Sequence, residues 1–243
     1  MFRIFPLLIA LTLGPALVGC AAETNKRTVP ADKTAAPALQ ALTIAELEVR
    51  MGKGDLRAQA ELAARYGRGD GVPADVAKAI ALLKDAVAKN EPDAMHWLAT
   101  AYTNGVGVEK NATQAALLFE QAALKGHRES QFIMGVTIST GQAGFSADWN
   151  AAIPYFRRSA DQNLPMAEFM MGYAYQQGYG VKTHPETAAY WYRRALSRGP
   201  HINAQFNLAR MIGQNLVKAL PGDPDPVRDL TEADVLATPN GGK

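Results

Sequence analysis

The 243-residue sequence predicts an all-α protein, a solenoid of about four helix-turn-helix units with half-units at its ends. Gly71-Val72 returns as Gly107-Val108, Gly144-Phe145 and Gly180-Val181, in steps of 36, 37 and 36 residues. Self-similarity at that period belongs to stacked supersecondary units. Apolar residues recur four apart ahead of each glycine turn, as on one face of a helix. Much of the 48% apolar content is Ala, which suits closely packed helices. A formal charge of +2 gives no electrostatic basis for nucleic-acid binding.

Residues 1–19 read as a secretory signal, with Arg3, an apolar run from Ile4 to Leu13, and small residues at the end. The run is too short and too interrupted by proline to span a bilayer, and no later stretch reaches 18 apolar residues. Leu17-Val18-Gly19-Cys20 resembles the bacterial lipobox, which implies a diacylated Cys20 at the start of the mature chain. Cys20 is the only cysteine, so it has no intramolecular disulfide partner. Ala21 stands where an Asp would imply inner-membrane retention. The resemblance therefore implies an outer-membrane lipid anchor, with the protein facing the periplasm. Residues 20–42, rich in Ala, Thr, Pro and charge, read as a lipidated N-terminus and flexible tether.

The solenoid is expected over 43–215. Thr43-Ile44-Ala45-Glu46 has the form of a capping box, so 43–53 reads as the second helix of an N-terminal half-unit. The first helices of the units carry Ala58, Leu62, Tyr66; Ala94, Leu98, Tyr102; Ser130, Met134, Ile138; and Ala167, Met171, Tyr175. Ala204, Leu208 and Ile212 begin a final half-unit. After each turn comes Asp75, Asn111, Asp148 or His184. The first three are good N-caps; His184 departs from the pattern, although Pro185 suits a first helical position. Four residues on stand Ala79, Ala115, Ala152 and Ala188, small enough for close helix contact. Second helices are expected to stop at Asn90, Gly126, Asn163 and Gly199, the residue types that tolerate a left-handed backbone. Unit three has one extra turn residue and Phe145 in place of Val. Arg68-Gly69-Asp70 matches a cell-adhesion tripeptide, but its place in the first turn explains Gly69 by geometry.

The turn "GxGV", the following cap and the Ala-rich helices, over roughly Asp55 to Asn215, resemble the Sel1-like repeat, a tetratricopeptide-like family. The resemblance implies a right-handed α-solenoid that binds proteins and is not an enzyme. Some envelope members are linked with penicillin binding and β-lactam hydrolysis, but their paired cysteines are missing here.

The residues themselves supply little chemistry. There is no Ser-x-x-Lys, no His-Glu-x-x-His and no nucleotide-binding loop, so neither a cofactor nor a metal is expected. His96, His127, His184 and His201 lie in different units and read as isolated surface or cap residues. In the tetratricopeptide-like architecture the first helices line the groove. The position two before each Leu or Met anchor then faces inward: Ala60, His96, Phe132, Phe169 and Phe206. Tyr173 and Arg210 fall two after their anchors. Aromatics and Arg dominate interface hot spots, so His96, Phe132, Phe169, Tyr173, Phe206 and Arg210 are candidate partner-binding residues for an envelope protein or peptide segment. The alternative is that these rings only pack between helices. Arg157-Arg158 and Arg193-Arg194, with Arg198, form a basic ladder. The ladder reads as a solvated face; the alternative is that the tail, 216–243, which holds Asp223, Asp225, Asp229, Glu232 and Asp234, docks on it or competes with a ligand there.

The expected function is that of a membrane-anchored interaction scaffold or assembly factor in the bacterial envelope. The rivals are a protein acting on peptidoglycan or β-lactams and a surface factor meeting host proteins.

Overall fold

A computed structural model describes residues 38–223. The signal segment, Cys20 and the acids after Asp223 lie outside the described residues. Among the described residues a short 3-10 turn, Leu39–Ala41, and ten α-helices follow one another without a strand. Helix α1 is Ile44–Gly52. The first helices of successive units are α2 (Leu56–Arg68), α4 (Pro92–Asn104), α6 (Arg128–Thr140), α8 (Pro165–Gln177) and α10 (Ile202–Gly213). The second helices are α3 (Val76–Ala88), α5 (Ala112–Leu124), α7 (Trp149–Asp161) and α9 (Pro185–Ser197). Each helix packs on its chain neighbours. First helices also meet directly, α2 with α4 and α8 with α10, and no second helices approach as closely. At these two places the first helices are therefore the more tightly spaced layer of an α-solenoid.

Local chemistry sets the boundaries. Thr43 and Glu46 form the full capping box at α1. Asp75, Asn111 and Asp148 each accept a backbone N–H at the start of α3, α5 and α7. His184 departs only in residue type, since its Nδ1 accepts from Thr187 N–H at 3.2 Å and caps α9. After the second helices, Asn90, Gly126, Asn163 and Gly199 all have positive φ, from 63° to 148°. Gly69 ends α2 at φ 76°, and Arg68 pairs with Asp70 while lying over Trp97. The Arg-Gly-Asp side chains are thus engaged within the fold.

The core follows the stripes. Leu62, Leu98, Met134, Met171 and Leu208 are buried, as are Ala79, Ala115, Ala152 and Ala188. Helix pairs close most tightly where a ring meets a glycine. A Cβ on Gly135 would fall 2.6 Å from the Phe156 ring, and one on Gly172 would fall 2.6 Å from Tyr192. The extra residue of unit three is taken up at Ala143, in the left-handed region at φ 52°, and Phe145 packs against the core.

Both ends of the stack are closed by short segments outside the α-helices. Leu42 is buried, and the Arg65 guanidinium donates to the carbonyls of Leu39, Gln40 and Leu42. After α10, Val217 is buried against α9 and α10, and Asp223 binds Arg193. Residues 38–42 and 216–223, on the tether and tail sides of the expected boundaries, are therefore packed on the helices.

Candidate protein-interaction site

The position two before each anchor is occupied as the repeat requires, but with different surroundings along the stack. Ala60 is fully buried, while His96, Phe132, Phe169 and Phe206 are half-buried. Phe132 lies 6.1 Å, centroid to centroid, from Phe156. Phe169 lies 6.1 Å from Tyr173, 5.8 Å from Tyr192 and 5.0 Å from His201. Phe206 sits beneath the exposed Arg210, whose guanidinium carbon is 5.8 Å from the ring centroid. These rings pack between helices on one side and keep part of their surface on the other. Tyr173 is half-buried, and burial raises its phenol above the ordinary value, helped by Tyr179 and opposed by Arg210.

Two members of this aromatic group escaped the repeat pattern. Trp149 follows the cap of α7, and Tyr179 is the variable residue of a glycine turn. The structure brings them to 4.9 Å from each other, with Tyr173 6.4 Å from Trp149 and 5.8 Å from Tyr179. For Tyr179 the signal available in sequence was the large ring standing between Gly178 and Gly180.

His96 belongs to a separate region, an open cleft of about 680 Å³ between α2, α4, α6 and the loop before α6. Arg57, Glu61, Asp93, Lys125 and Arg128 line it. His96 and His127, read as isolated in sequence, stack at 4.4 Å. Ser130 Oγ lies 3.0 Å from Nδ1 of both rings. Nε2 of His127 is 3.6 Å from Asp93 Oδ1. Burial, and secondarily the neighbouring His127, pushes His96 down to about 3, so it is neutral at ordinary pH. Ser130, His127 and Asp93 have the order of a nucleophile, base and acid. However, Ser130 is fully buried, and Nδ1 of His127 accepts the Ser130 N–H as the cap of α6. This group fastens α4 to α6. No cluster of three or more His, Cys, Asp or Glu suited to a metal exists among the described residues.

The basic ladder is largely engaged within the fold. Arg157 and Arg194 flank Trp191, 5.1 and 4.8 Å from its ring. Arg194 also donates to the fully buried Glu168 at 2.9 Å. Arg193 holds Asp223, the first acid of the tail.

The solved Sel1 repeat protein of Oxalobacter formigenes is similar in fold, with a TM-score of 0.61 at 23% identity over 74% of this chain and 71% of that one. The solved c5321, described as a protective antigen of uropathogenic Escherichia coli with an SLR fold, has a TM-score of 0.64 at 28% identity. That match covers 72% of this chain but only 37% of c5321. No curated relative matches. The Sel1 repeat itself matches residues 56–90, 92–127, 128–164 and 165–200, the four helix pairs α2–α3, α4–α5, α6–α7 and α8–α9. With more than half its length in these four repeats, a solenoid fold typical of protein–protein interaction scaffolds, the chain belongs to the Sel1 repeat family.

Proposed function

We propose that this protein is a lipid-anchored interaction scaffold or assembly factor of the bacterial outer membrane, facing the periplasm. Its first-helix layer holds an envelope protein or a peptide segment. The observation that carries this reading is the row Phe132, Phe169, Tyr173, Phe206 and Arg210, all on first helices and all keeping exposed surface after packing. Rigid aromatic rings beside an arginine provide binding energy at small entropic cost. The lipobox-like Leu17-Val18-Gly19-Cys20 supports the anchor.

A photo-crosslinking side chain at Asn203, exposed on α10 one turn before Phe206 and two before Arg210, should trap one discrete partner in living cells. The same probe at Tyr190, 53% exposed on the second helix α9, should trap none. Equal adducts at both positions, or none at Asn203 in a folded protein, would contradict the assignment. Cys20→Ser should move the protein from the membrane to the soluble fraction.

A second reading, exposure on the cell surface toward a host, is favoured by the description of c5321 as a protective antigen. Protease digestion of intact cells separates the two: a periplasmic protein resists and a surface protein is cleaved.

A further inference from the structure

Three of the four histidines cap helices through the same atom. Nδ1 of His127 accepts from Ser130 N–H at 3.2 Å, Nδ1 of His184 from Thr187 N–H at 3.2 Å, and Nδ1 of His201 from Ala204 N–H at 3.2 Å. An aspartate, asparagine or threonine cap offers an oxygen that remains an acceptor near neutral pH. A histidine caps only while Nδ1 is unprotonated. A proton there converts the acceptor into a donor and places positive charge at the positive end of the helix dipole.

His127 and His201 do more than cap. They occupy the same place before the first helices α6 and α10, and each lays its ring on a residue of the unit before. His127 stacks on His96 at 4.4 Å and 26°, and His201 stacks on Phe169 at 5.0 Å and 27°. Each therefore joins a helix start to a ring of the first-helix row. We propose that His127 and His201 are acid-labile fasteners, whose protonation uncaps α6 and α10 and loosens their hold on His96 and Phe169.

The surroundings of each ring set the direction. Around His127, Glu129 of α6 and Asp93 of α4 favour the charged form, Arg128 of α6 and Arg57 of α2 oppose it, and His96 of α4, neutral at ordinary pH, adds no charge. Burial is the largest influence, and the net effect lowers its basicity below that of a free histidine. His201 makes no ion pair among the described residues, and its first turn holds no acid. The Phe169 face would attract a cation, but burial again lowers the imidazole. Both folded values lie below the unfolded one. The stabilisation is therefore complete above the unfolded histidine value of about 6.5 and is lost as pH falls through and below it. His184 is exposed, with Glu186 in its first turn, and caps α9 at the same 3.2 Å, but it stacks on no ring among the described residues.

Only the consequence for a partner rests on the proposed function; the fastening itself does not. The test uses the full-length chain in detergent. Nitrogen NMR of the imidazoles should find Nδ1 of His127 and His201 unprotonated at pH 7.5, each titrating below a free histidine. Between pH 7.5 and 5 the wild type should lose about 4–8 °C more in Tm than H127N/H201N, because asparagine caps without titrating. Equal pH losses in both proteins would overturn the proposal, as would a proton on either Nδ1 at pH 7.5. Should the double variant not fold, the NMR result alone decides. None of these readouts requires a partner, so the scaffold reading and the fastener can fail separately.

Discussion

Arg193 and Asp223 are joined by a two-nitrogen clasp, with Nε 2.9 Å from Oδ1 and Nη2 2.7 Å from Oδ2. The same Nη2 donates to the Lys218 carbonyl at 2.9 Å. Asp223 accepts the Leu220 N–H as well, so the segment after α10, the last helix among the described residues, is tied to α9. The Asp223 side chain is 7% exposed, and a charge-assisted pair of this kind is worth more than a surface ion pair. Asp223→Ala should cost about 1–3 kcal/mol by thermal melting. Asp161→Ala removes the exposed pair with Arg157 and should stay within about 0.5 kcal/mol.

The clasp also has a pH signature. Burial works to raise the Asp223 carboxyl, but Arg193 and the Leu220 N–H outweigh it and hold it below the ordinary value. Its contribution should be present above the unfolded carboxylate value of about 3.9 and vanish as pH falls through the folded value. Wild type and Asp223→Ala should converge in Tm at the acid end of a pH series.

Gly172 tests the tight closing of the helix pairs. A methyl there would lie 2.6 Å from the Tyr192 ring and 3.1 Å from the Ala188 carbonyl. Tyr192 is fully buried and donates to Gln176 at 2.6 Å, so its ring has little freedom to retreat. Gly172→Ala should therefore destabilise by about 1–3 kcal/mol, despite the better helix propensity of alanine. Gly52→Ala meets nothing within 4 Å and should be neutral or stabilising. Equal melting temperatures for the two variants would contradict the packing account.

His96 predicts a second acid-dependent loss. Its imidazole is held at about 3, against about 6.5 when unfolded. The unfolded chain therefore binds the extra proton first, and stability declines as pH falls from about 6.5 toward 3. By pH 5 the loss should reach about 1–2 kcal/mol. Phe169 and Phe206 hold the equivalent place in later units, so His96→Phe should fold and flatten this part of the pH profile. An unchanged profile would exclude His96 as its source.

The architecture was legible in the sequence because backbone requirements repeat. Asp75, Asn111 and Asp148 had to cap, and Asn90, Gly126, Asn163 and Gly199 had to turn left-handed, whatever packed around them. His184 was harder to place because a ring nitrogen caps as a carboxylate does, through a lone pair that residue-type preference underrates. The site was less legible. Phe132, Phe169 and Phe206 were placed on the right helices, but the repeat could not say how their surface divides between neighbours and solvent. Trp149 and Tyr179 were missed because their position in the unit is variable. The contact between His96 and His127 crosses from one unit to the next, where a per-unit pattern does not reach. Clasping by Asp223 depends on a chain path after the last repeat, for which no periodicity exists.

The most direct test of the scaffold account is the affinity of the crosslinked partner for three variants. Phe206→Ala and Arg210→Ala should each weaken binding at least tenfold, as expected for hot-spot residues, while Tyr190→Ala leaves it within about twofold. Loss of binding with Tyr190→Ala and retention with both first-helix variants would place the partner on the second-helix layer and contradict the account.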